Sequence, residues 1–98
     1  MKNVEKLMKL ADEAIQADDY EKAMEYYMKS ADQGCSFALI SIGYLYEIGG
    51  GVEPSLEKAV EYYREAASRD VEEAVELLDQ LVAEGKITQD YTVISTGI

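Results

Sequence analysis

The residues whose pattern most suggests a chemical role are three successive glycines in the stretch IGGGVEP, residues 48–54. Glycine-rich loops can hold a phosphate, but such motifs also place a lysine or further glycines at fixed spacing beside a strand. This stretch has no lysine and no flanking strand pattern, and Glu53 and Glu57 would repel a phosphate. We therefore interpret it as a turn in which Gly49 ends one helix and Pro54 opens the next.

Other residue types from which enzymes build catalytic centres are scarce in this chain. It has no histidine, which removes the commonest general base and a common metal ligand. Because the chain has no histidine, none can activate Cys35 as a nucleophile. Because Cys35 is the only cysteine, no internal disulfide can form. We therefore expect no enzymatic activity, no metal site and no cofactor.

Composition and charge limit the class of partner. The chain has 98 residues, 48% of them hydrophobic, which is enough for one small domain with a modest core. Its 20 acidic and 9 basic residues give a net charge of -11. Binding to nucleic acids and anionic membranes needs clustered lysine and arginine, and the negative charge of this chain would repel both. A charged partner should therefore be basic. With no apolar run long enough for a signal peptide or a membrane span, we expect a soluble, cytoplasmic protein.

The chain contains an internal repeat. Residues 19–34 (DYEKAMEYYMKSADQG) and 55–70 (SLEKAVEYYREAASRD) align without gaps, and seven of the sixteen positions are identical. In each copy, alanines and one tyrosine recur at helical spacing on a single face, which predicts a helix packed through that face. We expect Asp18, Ser55 and Asp70 to cap the helices that follow them.

Further helical stretches precede, separate and follow the two copies, which predicts an all-α fold of five helices. Short connections make successive helices antiparallel neighbours, alternating as A and B helices in about two and a half repeats. Gly43 lies on a predicted A helix, where the missing side chain would let a B helix approach closely. The five helices are expected near residues 2–17, 20–33, 36–48, 55–69 and 71–84.

The repeats resemble the Sel1-like and tetratricopeptide repeat families. The first repeat, from Ala17 to Tyr27, looks like the tetratricopeptide form, and the third, residues 71–85, keeps only part of the pattern. The resemblance implies a right-handed α-solenoid over residues 1–85 that binds proteins or peptides and has no catalytic activity of its own. The second repeat carries the Sel1-like residues Ala38, Gly43, Tyr46, Gly49, Gly51, Val52, Lys58, Ala59, Tyr62, Tyr63, Ala66 and Ala67.

In this fold class the A helices line the concave surface, which predicts a peptide-binding groove. An exposed aromatic and apolar stripe flanked by acids suits an amphipathic or basic peptide. The alternative is that these residues pack against neighbouring repeats or against a second copy of the chain. The predicted groove residues are Met8, Asp12 and Ile15 on the first A helix, Phe37, Ile40, Tyr44 and Glu47 on the second, and Glu76, Gln80 and Ala83 on the third.

Residues 86–98, KITQDYTVISTGI, depart from the helical pattern and are expected to be an extended or flexible tail. They could instead be the start of a lost B helix, fold back into the groove, or cap the third A helix. The last four residues, which include Ser95, resemble a ligand for a PDZ domain, because Thr96 stands two residues before a terminal apolar residue, Ile98.

These patterns favour a protein-interaction scaffold that binds basic or amphipathic segments of other proteins through the groove. We keep two alternatives open. One is a purely structural repeat unit, truncated or designed, that only folds or self-associates as a homodimer. The other is an acidic mimic that blocks a basic, nucleic-acid-binding partner.

Overall fold

The computed structural model describes residues 2–94 and contains the five predicted helices within that range. Each helix packs against its neighbours along the chain, which gives an elongated stack of 43 × 28 × 18 Å. The all-α solenoid predicted from the repeats is confirmed, and every helix boundary falls within one residue of the predicted one. The helices are α1 (Lys2–Gln16), α2 (Tyr20–Asp32), α3 (Ser36–Ile48), α4 (Leu56–Ser68) and α5 (Glu72–Ala83).

The prediction for the helix caps was right at Ser55 and wrong at the two aspartates. Ser55 Oγ accepts a hydrogen bond of 3.2 Å from the backbone N–H of Lys58, which caps α4. Asp18 and Asp70 instead adopt left-handed backbone conformations, with φ of 60° and 65°. They close the preceding helix, as residues just beyond a helix C-terminus often do, and so cannot also cap the next one.

The cap expected at Asp18 therefore shifts by one residue. Asp19 Oδ1 accepts a hydrogen bond of 3.2 Å from the backbone N–H of Lys22 and caps α2. At the start of α5 the capping position falls to Val71, whose side chain can accept no such bond.

Alanine and tyrosine form the contact between the two helices of each pair. Gly43 of α3 has no side chain, and a Cβ built there would lie 2.6 Å from the ring of Tyr63 and 3.1 Å from the Ala59 carbonyl. Tyr63 is completely buried in the second pair, and Tyr27 is buried at the same place in the first. The predicted reason for Gly43, close approach of the B helix, matches this geometry.

The glycine-rich stretch is the turn between α3 and α4. Gly49 ends α3 in a left-handed conformation, with φ of 77°, and its N–H donates to the Leu45 carbonyl at 2.8 Å. A Cβ on Gly51 would lie 2.8 Å from the backbone nitrogen of Glu21, at the start of α2. The turn of the second pair thus contacts the backbone of the first pair directly, and Val52 packs against the core cluster that α1, α2 and α3 share.

Residues 86–94 turn back onto the end of the stack. Ile87 and Val93 form an isolated antiparallel bridge, and Ile87 is buried beside Leu78 and Leu81 of α5 and Tyr63 of α4. This segment thus packs against α4 and α5 at the end of the stack. The domain boundary that we place after residue 85 stays a prediction.

No helix in residues 2–94 combines the length and the apolar composition that crossing a lipid bilayer requires.

Candidate functional site

Tyr44 is the centre of the surface predicted as the groove. Its side chain is 56% exposed on α3, and it forms a wall of two adjoining cavities. The first cavity, of about 270 Å³, is lined by Ile15, Tyr27, Ser41, Tyr44 and Leu45. The second cavity, of about 240 Å³, is lined by Tyr44, Glu47, Leu77, Gln80, Leu81, Glu84 and Lys86.

The two cavities have different chemical linings. Ile15 and Leu45 contribute aliphatic surface to the first cavity, with the Ser41 hydroxyl and the Tyr27 ring beside them. The second cavity carries the carboxylates of Glu47 and Glu84. The ammonium of Lys86 lies 3.4 Å from Glu84 Oε1, so this cation offsets part of the negative charge there. The arrangement can accept an apolar group on one side of Tyr44 and a polar or cationic group on the other.

Two of the three carboxylates predicted for the groove, Asp12 and Glu47, are held by the buried tyrosines. The Tyr63 hydroxyl donates a hydrogen bond of 2.7 Å to Glu47 Oε1, and the Tyr27 hydroxyl donates one of 2.9 Å to Asp12 Oδ1. Burial, as the larger cause, and the hydrogen bond to Asp12 together raise the pKa of Tyr27 to about 12. Burial and Glu47 raise the pKa of Tyr63 still further. Both phenols therefore remain neutral donors that hold a carboxylate at the surface.

The predicted groove residues separate into those near Tyr44 and those elsewhere. Ile15, Glu47 and Gln80 share a cavity with Tyr44. Met8 and Ile40 instead lie against the hydrophobic core, as the packing alternative expected. Asp12 is exposed and bound to Tyr27, whereas Ala83 is exposed on α5.

Phe37 and Glu76 line a third cavity at the other end of α3 and α5. This cavity, of about 630 Å³, also includes Cys35 and Arg69. Phe37 is 54% exposed there, close to the exposed fraction of Tyr44. The predicted stripe of Phe37, Ile40 and Tyr44 is therefore interrupted: its two aromatic ends face different cavities and its middle residue packs inward.

Several residues around Tyr44 escaped the sequence analysis. Leu45 and Leu81 each line one of the two cavities but are almost completely buried. In the sequence, their hydrophobicity therefore indicated only a core position. Glu84 and Lys86 follow the last helix, outside the helical face that we considered. Ser41 carries a signal that could have been used, because it is a small polar residue inside the otherwise apolar run of α3.

The PDZ-ligand prediction concerns Ser95, Thr96 and Ile98, which lie outside the described residues.

Comparison with known proteins identifies the repeat. The sequence model of the Sel1 repeat matches residues 12–35 and again residues 36–71, which together exceed half of the chain. The chain belongs to the Sel1 repeat family. Sel1 repeats generally mediate protein–protein interactions, and proteins built from them are generally non-enzymatic scaffolds. The first match ends where α3 begins, so the two repeats meet at the junction of α2 and α3.

A curated relative carries Sel1-like sequence in a much longer chain. It is the protein named "Putative beta-lactamase HcpD" of Helicobacter pylori strain J99, 33% identical over 54 residues. The match covers 55% of this Sel1 repeat chain and 18% of the relative. This chain therefore spans under a fifth of the length of that relative.

The name of that relative raises the question of serine β-lactamase chemistry, for which the spacing Ser-x-x-Lys is characteristic. Ser55 and Lys58 have this spacing, but Ser55 Oγ accepts the Lys58 backbone N–H as a helix cap. The Lys58 ammonium lies 5.4 Å from the ring centre of Tyr46, a cation–π contact. Neither Ser-Asp-Asn nor Lys-Thr-Gly, the companion motifs, occurs in the sequence.

Proposed function

We propose that this Sel1 repeat chain is a scaffold that binds a segment of another protein in the two cavities beside Tyr44. The observation that carries the proposal is the position of Tyr44, an exposed aromatic side chain between an apolar and an acidic cavity. Aromatic residues of this kind are enriched among the side chains that dominate binding energy, because they bury a large area at small entropic cost.

The chemistry of the partner follows from the two linings. An aliphatic or aromatic side chain would fill the first cavity against Ile15 and Leu45. A lysine or arginine nearby in the partner would approach Glu47 and Glu84 in the second cavity. The net charge of -11 would speed the encounter with such a basic or amphipathic segment, and it disfavours nucleic acid.

The binding surface is supported by a rigid base. Glu47 is held by Tyr63, Leu45 belongs to the core cluster that α1, α2 and α3 share, and Ile15 packs against that cluster. Side chains fixed in this way lose little freedom when a ligand binds, so less of the interaction free energy is spent on ordering the protein.

We propose further that the chain has no catalytic activity of its own. The absence of histidine from the sequence, the capping role of Ser55 and the lack of the companion motifs support this proposal. A hydrolysis assay with a chromogenic β-lactam tests it. Turnover that depends on Ser55, measured with Ser55→Ala, would contradict it.

The binding proposal is tested by selecting ligands from a phage-displayed random peptide library. We expect the selected peptides to combine an apolar residue with a nearby lysine or arginine. Titration by fluorescence anisotropy should show that Tyr44→Ala weakens binding by about ten-fold or more. Phe37→Ala is the matched control, because Phe37 is an equally exposed aromatic residue on the same helix but lines a different cavity.

Two results would contradict the binding proposal. One is a selection that shows no enrichment of basic residues. The other is equal loss of affinity in Tyr44→Ala and Phe37→Ala. Ile40 is unsuitable as a test position, since its packing against the core would confuse loss of binding with loss of stability.

A further inference from the structure

The first helix borders a cleft whose lining contains no residue of the second repeat. The cleft has a volume of about 460 Å³ and lies between α1 and the end of α2. Leu7 and Leu10 form its apolar part, with Lys6 beside them on the same helix, while Lys29, Asp32 and Gln33 line it from α2. None of these residues belongs to the cavities beside Tyr44.

The second repeat shows what covers the equivalent surface. When α1 and α3 are aligned by their ends, Leu7 corresponds to Leu39 and Leu10 corresponds to Ile42. Leu39 is 4% exposed and Ile42 is fully buried. Ile42 packs in a cluster with Met24 of α2, and Ala31 of α2 packs against the cluster of Leu39. The B helix of the first repeat thus covers in α3 the positions that line an open cleft in α1.

The charges at the cleft are unusual for this acidic chain. Lys6 and Lys29 flank Leu7 and Leu10, whereas Asp32 is the single acidic residue of the lining. The ion pairs within residues 2–94 involve Arg69 and Lys86, so neither lysine of the cleft is paired there. At the position of Lys6, α3 has the buried Ala38. The cleft therefore combines the helix-binding face of a repeat with a positive edge.

We propose that this cleft binds an acidic amphipathic helix of a partner protein, which lies on α1 as α2 lies on α3. Small and apolar residues of the helix cover Leu7 and Leu10, and its acidic residues approach Lys6 and Lys29. This surface is independent of the cavities beside Tyr44, so one chain can hold two different partner segments at once.

The test uses the full chain and a hydrocarbon-stapled helical peptide with the sequence of residues 19–33. This probe is the acidic helix that covers the equivalent face of α3. NMR titration of the labelled chain should move the amide signals of α1 and of the end of α2 in a saturable way. Lys6→Glu combined with Lys29→Glu should weaken binding by about five-fold. Lys22→Glu combined with Arg64→Glu is the control, since it changes the net charge equally at exposed positions outside the cleft.

Each other outcome overturns the proposal. Absence of saturable shifts means that the cleft does not accept such a helix. Equal weakening by the control pair means that overall charge, and not the cleft, attracts the peptide. Shifts centred on Tyr44 would place the peptide in the other site. A dimer of the free chain in sedimentation, dissociated by Lys6→Glu with Lys29→Glu, would make a second copy the occupant.

Discussion

The two complete helix pairs, α1 with α2 and α3 with α4, place a tyrosine against a small residue but enclose it to different depths. In the first pair, Ala11 stands at the position that Gly43 takes in the second, when the helices are aligned by their ends. Tyr27 keeps 5% of its surface exposed, and Tyr63 keeps none. The pair that lacks a methyl group at this position thus has the more deeply buried tyrosine, which Leu78, Leu81 and Ile87 also help to cover.

The pairs also differ in how the buried phenol is bound. Tyr27 donates to Asp12, and Tyr63 donates to Glu47, which in the aligned helices lies about one turn further along. The deeper tyrosine also has the more strongly raised pKa. Repeats with the same buried face can therefore present their carboxylates at different points of the surface, and only Glu47 reaches a cavity beside Tyr44.

Of the variants that test this comparison of the two pairs, Gly43→Leu should have the largest effect on stability. The new side chain would collide with Tyr63 and the Ala59 carbonyl, so the second pair could not close. Overpacking of this severity costs about 3 kcal/mol or more, which for a chain of this size lowers the melting temperature by roughly 10 °C or more. Thermal unfolding followed by circular dichroism measures it.

A suitable control for Gly43→Leu is Glu61→Leu, because Glu61 is exposed on α4 of the same pair. If Gly43→Leu melts like the unaltered chain, the close contact between α3 and α4 is not what fixes the second pair.

The second-largest effect on stability is expected at α5, which residues 86–94 follow in the chain where a B helix follows α1 and α3. Ile87→Ala removes a buried side chain beside Leu78 and Leu81, and should lower the free energy of unfolding by about 3 kcal/mol. Gln89→Ala, at an exposed position of the same segment, should change it little. Urea denaturation compares the two variants. Equal stability would show that the segment is not needed to cover α5.

The two buried tyrosines, Tyr27 and Tyr63, should make the unfolding free energy depend on pH in the alkaline range. Because folding raises the pKa of Tyr27 from 10.0 to about 12, its stabilising contribution is complete below pH 10 and is lost as pH rises to 12. Tyr63 has a higher folded pKa, so its contribution falls over a wider range. The unfolding free energy should fall by up to about 1.4 kcal/mol per pH unit for each tyrosine.

Tyr27→Phe and Tyr63→Phe separate the two contributions to this alkaline loss. Each should flatten the fall of stability above pH 10, and Tyr63→Phe should do so further. Urea denaturation at several pH values between 9 and 13 would provide the measurement, because the two contributions diverge mainly above pH 12. An identical pH dependence in both variants would mean that the two phenols are equally enclosed.

The smallest expected effect is a gain in stability at Ser30. Its side chain is fully buried in the first pair, and its hydroxyl has no hydrogen-bond partner within residues 2–94, whereas the second pair has Ala66 there. Ser30→Ala should raise the unfolding free energy by about 1 kcal/mol, because an unpaired buried hydroxyl is removed and alanine favours the helix. Ser68→Ala, at an exposed serine that bonds its own helix, is the control. A loss of stability would indicate that the hydroxyl is paired.

The fold followed from the sequence because the repeat, the helical spacing and the small residues all indicated the same helix pairs. The capping aspartates were assigned wrongly because Asp18 and Asp70 serve the helix before them, a choice that depends on backbone conformation and not on residue type. The groove was predicted over all three A helices, but only some of its residues share a cavity with Tyr44. Ile40 lies on the same helix as Tyr44 and packs against core residues of α4 and α5. Which apolar residue faces inward depends on the crossing of neighbouring helices, and periodicity within one helix does not report that.

The turn of Gly49, Gly50 and Gly51 has a consequence for how the molecule unfolds. A Cβ on Gly50 would lie 3.0 Å from the ring of Tyr20, and one on Gly51 would touch the backbone of Glu21, so the turn is seated on α2. Repeat arrays can lose terminal units one by one when the contacts between units are weak. Here the two repeats share both the contact between α2 and α3 and the contact of this turn with α2. Loss of either repeat would expose the other, so we expect the chain to unfold as one cooperative unit.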